Sequence, residues 1–200
     1  MAETSLSLLD RLRDPEQPAA WQQLLDIYTR LMHNWLRKAN LQQSDSDDLV
    51  QEVLAVVVRK VPEFRHDGQT GSFRAWLRAI TTNRLRDFWR ARASGTAQAG
   101  PDELARMLTE LEDPHSGLSR LWDEEHDRYV LDRLMERIEP EFKATTWAAF
   151  RGHVIEGRPV DDVARELGVS PNVVFIAKSR VLQRLRDEAR GLVDDHPSLS

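Results

Sequence analysis

The stretch VDDVARELGVSPNVVFIAKSR, residues 160–180, decides the fold. Val163, Ala164 and Leu167 fall on one face of a first helix. Gly168 supplies the left-handed backbone that ends a helix in a tight turn. Ser170 is an N-cap residue type, and Pro171 suits a first helical position, where its missing N–H costs nothing. Val174, Ala177 and Val181 give a second helix its apolar stripe, and the small Ala164 lets the two helices approach closely. The free side of the second helix then carries Asn172, Phe175, Ile176, Ser179, Arg180 and Gln183. The pattern is a helix-turn-helix, and in DNA-binding modules that free side enters the major groove.

Net charge argues the other way. The 200-residue chain is acidic, at −5, whereas a simple electrostatic DNA binder is basic. The charge is segregated, however. Residues 74–92 hold six Arg against one Asp, residues 94–127 nine acids against two Arg, and residues 171–190 five basic residues against two acids. Phosphate attraction acts over about a Debye length, about 8–10 Å, so local charge outweighs the sum.

Apolar residues recur at spacings of three and four nearly everywhere, and nothing reads as a strand. The chain is expected to be all-α. Trp21 to Trp35 mark a helix over about 17–39. Asp47 and Asp48 start the next, whose buried face runs from Leu49 to Val58 and which Pro62 ends. Ser72 caps a long helix reaching about Arg92. The segment ARASGTAQAGPDE reads as a linker, followed by an acidic stretch with a weak helical pattern. Helical periodicity resumes near 118, and Pro140 starts a helix holding Trp147 and Phe150. The expected layout is two small helical domains, 1–92 and 128–190, joined by a flexible acidic linker over 93–127, with a frayed tail over 191–200. The linker is a solvated spacer, or it follows a basic channel on a partner, or it masks the chain's own basic faces.

No constellation here runs an enzyme. The six His are scattered, no H-E-x-x-H or nucleophile elbow occurs, and no Gly-rich loop cradles a phosphate. Asp45, Asp47 and Asp48 lack the glycine of a calcium loop and read as helix-start acids. No catalytic residue, metal site or cofactor is expected. With no cysteine, no apolar run near the ~18 residues of a membrane span and no signal-peptide core, the expectation is a cytoplasmic protein without a membrane partner. The helix over 72–92 interleaves Arg with Phe73, Trp76, Phe88 and Trp89. Most of these rings are needed as core, but rings beside Arg can stack on unpaired bases, and Asn83 can read a base edge.

The order of these segments resembles a family. SDSDDLVQEVLAVVV (44–58) is similar to region 2.2 of the extracytoplasmic-function sigma factors, the smallest group of the sigma-70 family, with its D-x-x-D-L-x-Q-E-x-F form. GSFRAWLRAITTNRLRDFWR (71–90) is similar to regions 2.3 and 2.4, WQQLLDIYTRLMHNWLRKA (21–39) to region 2.1, and 130–187 to region 4. The resemblance implies a protein that binds core RNA polymerase and directs it to promoter DNA. Asp48, Gln51 and Glu52 would meet the polymerase clamp coiled coil, and the polymerase flap is a further contact. Trp76, Asn83, Arg84, Arg86 and Arg90 would serve the −10 element, with loop 65–72 holding a flipped base. Asn172, Phe175, Ile176, Ser179 and Arg180 would serve the −35 element. The family also admits an anti-sigma factor as a partner. Two features depart from its pattern: FRHDGQTGSF is longer than the usual F-R-G-x-x-x-F loop, and Val174-Phe175-Ile176-Ala177-Lys178 stands where V-K/R-S-R is usual. Outside the family, the alternatives are a helix-turn-helix regulator acting on closed duplex DNA, or an adaptor binding protein alone.

Overall fold

Each apolar stripe in the sequence has helical spacing, and the described residues accordingly form helices and turns, with no strand among them. The computed structural model describes residues 7–14, 16–37, 41–65, 72–93 and 101–193. Through them run α1 (Leu8–Arg11), α2 (Pro18–Leu36), α3 (Gln43–Lys60), α4 (Ser72–Ala93), α5 (Pro101–Glu112), α6 (Gly117–Ile138), α7 (Ala144–Phe150), α8 (Val160–Leu167) and α9 (Pro171–Ala189).

Helix α3 packs on both α2 and α4. The shared interior takes Leu24, Ile27, Tyr28, Leu31 and Met32 from α2. It takes Leu49, Val50, Val53 and Val57 from α3, and Phe73, Leu77 and Leu85 from α4. Each such side chain contributes about 1.5–3 kcal/mol by leaving water. Helix α3 starts at Gln43, a turn ahead of the Asp47 and Asp48 start expected from sequence. Asp45 lies in its first turn, where a carboxylate meets the positive end of the helix. Asp47 instead accepts a hydrogen bond from Gln43 Nε2 at 2.8 Å. Pro140 sits in a 3₁₀ turn over 139–141 rather than opening a helix. Phe142 is extended after it, so α7 begins only at Ala144.

The span 93–127, read from sequence as a linker, carries α5 and the first half of α6. Helix α6 crosses position 127 without a break and lies against α2, α4, α5 and α9. Trp122 is 1% exposed, and its ring centroid lies 4.3 Å from that of Trp35. Val130, Leu131, Leu134 and Ile138 continue the buried face. One hydrophobic core therefore runs from Leu8 to Val193. Leu192 and Val193 are buried in it, although the tail from 191 was expected to fray; residues 194–200 lie outside the described residues.

Helix α7 continues into a π-helical turn over 151–155. Gly152 is buried there because a Cβ would come within 3.2 Å of Val163 Cγ2, so glycine lets α8 close on this turn. A second, small-residue cluster of Ala149, Val163, Ala164, Val174 and Ala177 joins α7, α8 and α9. Gly168 has φ of 64°. Val169 N–H donates to Ala164 O at 3.0 Å and Gly168 N–H to Arg165 O at 3.4 Å, the paired bonds of a glycine-ended helix. Ser170 occupies the N-cap position of α9 with extended backbone, but its hydroxyl makes no capping bond. A Cβ on Gly168 would meet nothing within 4 Å, so backbone strain alone opposes substitution. Gly168→Ala is expected to cost about 1–2 kcal/mol in urea unfolding, and Gly168→Asn less. Among the described residues no helix is long and apolar enough to cross a membrane.

Candidate nucleic-acid and polymerase interfaces

The buried stripe of α3 fixes what its opposite side presents. Leu49, Val50, Val53 and Val57 face the core, so Asp48, Gln51 and Glu52, three and four positions apart, stand exposed together with Ala55 and Arg59. Two acceptor carboxylates and an amide thus form one polar patch on a rigid helix.

On α4 the period separates two sets of arginines. Trp76, Asn83 and Arg90 recur every seven residues on the outward stripe, with Asn83 and Arg90 exposed and Trp76 half-buried. The Trp76 ring is held at 5.0 Å from Phe64 and 5.4 Å from Phe73, so it forms the rim of the aromatic core. Asn83 Oδ1 accepts from Arg86 Nη1 at 3.1 Å. Arg84 pairs with Asp87 at 2.9 Å, and Arg86 pairs with Glu112 of α5. These are partly exposed pairs, each worth at most about 1 kcal/mol, so incoming phosphates can exchange with them at little cost. Of loop 65–72, the expected pocket for a flipped base, residues 66–71 lie outside the described residues.

Arg74 and Arg78 point the opposite way, into α6. Arg74 Nη1 lies 2.5 Å from Asp127 Oδ2, and Arg78 Nη1 lies 2.6 Å from Asp123 Oδ1. Arg78 also donates to Ser119 O at 3.4 Å. His126 is fully buried beside them, with Nδ1 2.9 Å from Asp127 and Nε2 3.2 Å from the Tyr28 hydroxyl. Burial, then the Asp127 charge, pushes the Tyr28 hydroxyl well above the ordinary tyrosine range, so it stays protonated. Burial likewise raises the Asp123 carboxyl, against the opposing pull of Arg78 and Arg74. The acidic segment thus supplies counter-ions to the chain's own basic helix. Arg74 and Arg78 are internal struts, while Arg84, Arg86 and Arg90 remain at the surface. The sequence gives the polar stripe on α6 by its spacing, Asp123, His126, Asp127, but not the helix it faces.

Helix α9 buries Val174, Ala177, Val181, Leu182 and Leu185. That places Asn172, Phe175, Ile176, Ser179 and Arg180 together on its exposed face, with Val173 beside them. Phe175 is 53% exposed and Ile176 41%. Phe175 is braced by His153: its ring stands edge-on to that ring at 6.1 Å, and His153 Nδ1 lies 3.0 Å from Arg158 O.

The comparisons with known proteins bear on these faces. The Sigma-70 region 2 family model matches residues 24–95, from α2 through α4. The chain is similar to the ECF RNA polymerase sigma factor SigE of Mycolicibacterium smegmatis, with 26% identity over 184 residues, which span 92% of this chain and 67% of that protein. One match covers the bundle bearing the α3 and α4 faces, and the other extends over most of the chain. The chain thus carries a segment similar to Sigma-70 region 2 over residues 24–95 and is similar over most of its length to an extracytoplasmic-function sigma factor.

Proposed function

We propose that this protein is a promoter-directing subunit of RNA polymerase: it binds the core enzyme, reads the −10 element with α4 and reads the −35 element with α9. The observation that carries the reading is the placement of three separate exposed faces on rigid helices: Asp48, Gln51 and Glu52 on α3; Trp76, Asn83 and Arg90 on α4; Asn172, Phe175, Ile176, Ser179 and Arg180 on α9. The α3 patch is polar and acidic, which suits a basic protein surface such as the clamp coiled coil, with region 4 meeting the flap. The α4 stripe joins a half-buried aromatic ring to an amide and cations, a set able to stack on and hydrogen-bond unpaired bases. The α9 face sits where a second helix enters the major groove. An acidic chain serves this role because the polymerase supplies much of the DNA affinity. An anti-sigma factor is a further partner in this reading.

The test is transcription in vitro with bacterial core polymerase, with and without the protein, on a pooled promoter library from its source. Protein-dependent 5′ ends support the reading. No new ends together with no co-elution with core would move the assignment to a regulator or an adaptor. The double change Gln51→Ala, Glu52→Ala is expected to weaken co-elution with core about tenfold, the equivalent of about 1.4 kcal/mol, at unchanged helix content by circular dichroism. Both positions are exposed, so retained binding would remove α3 from the interface.

A further inference from the structure

We propose that α9 reads its DNA element mainly through thymine methyl groups and one adenine edge, rather than through guanine; this rests on the reading of α9 as the −35 helix. A recognition helix contacts base edges with its N-terminal residues. In α9 those residues are Pro171 to Ala177, and not one of them is charged. Guanine presents two acceptors in the major groove and is read by Arg or Lys; thymine presents its 5-methyl to apolar side chains; adenine takes Asn or Gln. The exposed residues in this stretch are Pro171, Asn172, Val173, Phe175 and Ile176, at 39% for Val173, 53% for Phe175 and 41% for Ile176. Within these first two turns the set therefore matches adenine and thymine and holds no cation for guanine.

The apolar side chains are flanked by polar ones, Asn172 before them and Ser179 and Arg180 one turn on, all exposed. The first cations of α9 are Lys178 and Arg180, past the apolar stretch, where they can meet phosphates while the N-terminal turns face the bases. Phe175 is also pre-positioned, since its edge-on packing against His153 limits the ring's freedom before DNA arrives. His153 is itself tied to the turn before α8 through Arg158 O.

Deoxyuridine tests this directly, because it pairs like thymine and lacks only the methyl group. In the −35 element mapped from the protein-dependent start sites, each thymine would be replaced in turn by deoxyuridine. Closed-complex affinity of the holoenzyme would then be measured with the wild-type protein and with the Phe175→Ala and Ile176→Ala variants. The expected result is a loss of about fourfold at one or more thymines, the worth of one buried methyl-sized group. That loss should vanish in the variant lacking the contacting side chain. Both side chains are exposed, so truncation empties no core. Start sites whose −35 element is insensitive to deoxyuridine but sensitive to 7-deazaguanine would overturn this inference and leave the sigma reading standing. The same holds if both variants bind DNA as the wild type does, which would give the patch to a protein partner. No protein-dependent start sites at all would remove the sigma reading, and this inference with it.

Discussion

Replacing Trp122 by alanine is expected to lower the stability of the whole chain by about 3–5 kcal/mol, the range for removing a large aromatic from a packed interior. Trp122 is among the largest fully buried side chains and lies against Trp35, 87 positions earlier in sequence, at 4.3 Å between ring centroids. The cost combines lost transfer energy with the cavity left between α2 and α6, neither of which can close on it without moving an entire helix. Urea unfolding followed by circular dichroism measures it, and the slope should stay unchanged while the midpoint falls. A loss below about 1 kcal/mol, the usual range for surface changes, would put residues 117–127 back among solvated linkers.

Loss of Arg11 should be nearly as damaging. The Glu188 carboxylate is fully buried. It accepts from Arg11 at 2.5 and 3.2 Å, from Arg184 at 2.9 Å and from Gln23 at 3.3 Å. Arg11→Ala leaves that charge in the interior with Arg184 as its remaining cation partner in this cluster, and breaking a buried pair in this way costs about 3 kcal/mol. The pH dependence identifies the cause. Burial pushes the Glu188 carboxyl up, but the hydrogen bonds and charges of Arg11 and Arg184 outweigh it and hold the group below the usual glutamate range. A depressed carboxyl contributes stability that is full above the unfolded value, about 4.3, and is lost as pH falls through the native value. Without Arg11 the native value rises towards the unfolded one, so that contribution shrinks. The difference between wild type and Arg11→Ala should therefore be largest near pH 7 and narrow below about pH 4. Asp123 has the opposite sign. Its raised carboxyl favours the native state at low pH and loses that advantage as pH rises through the native value. It is present in both proteins and cancels in the comparison. A difference constant from pH 7 to pH 3 would rule out the Glu188 charge as the source.

What could be read from the chain beforehand divides along sequence distance. The turn at Gly168 was legible because its signals, a glycine, a cap residue and a proline, lie within four positions and act locally. The exposed sets on α3 and α9 were legible for a similar reason. Once the apolar stripe of a helix is known, its opposite face follows from the period. The role of 93–127 was not legible. Trp122 meets Trp35, Arg74 meets Asp127, and Tyr28 meets His126, each across 53 to 98 positions. Periodicity shows that a helix has a face to bury but not what it is buried against. The acids of 94–127 look solvated until Glu112, Asp123 and Asp127 are found paired with arginines of another helix. The same gap hid the separation of Arg74 and Arg78, internal struts, from Arg84, Arg86 and Arg90 at the surface. Pro140 misled for a local reason, since proline suits the first turn of a 3₁₀ segment as well as that of an α-helix.

The core from Leu8 to Val193 takes in α7 and the C-terminal half of α9, so the helical bundle and the helix-turn-helix are expected to unfold as one cooperative unit. Heat should melt them in one transition, with calorimetric and van't Hoff enthalpies in agreement, and not as two modules in sequence. The same continuity sets a threshold for anything that draws α6 away from α2 and α4. Such a ligand must prefer the separated form by at least the free energy of re-exposing the Trp35–Trp122 contact and uncoupling Arg74 and Arg78 from their carboxylates. Ligands that bind both arrangements equally leave the closed one in place however tightly they bind.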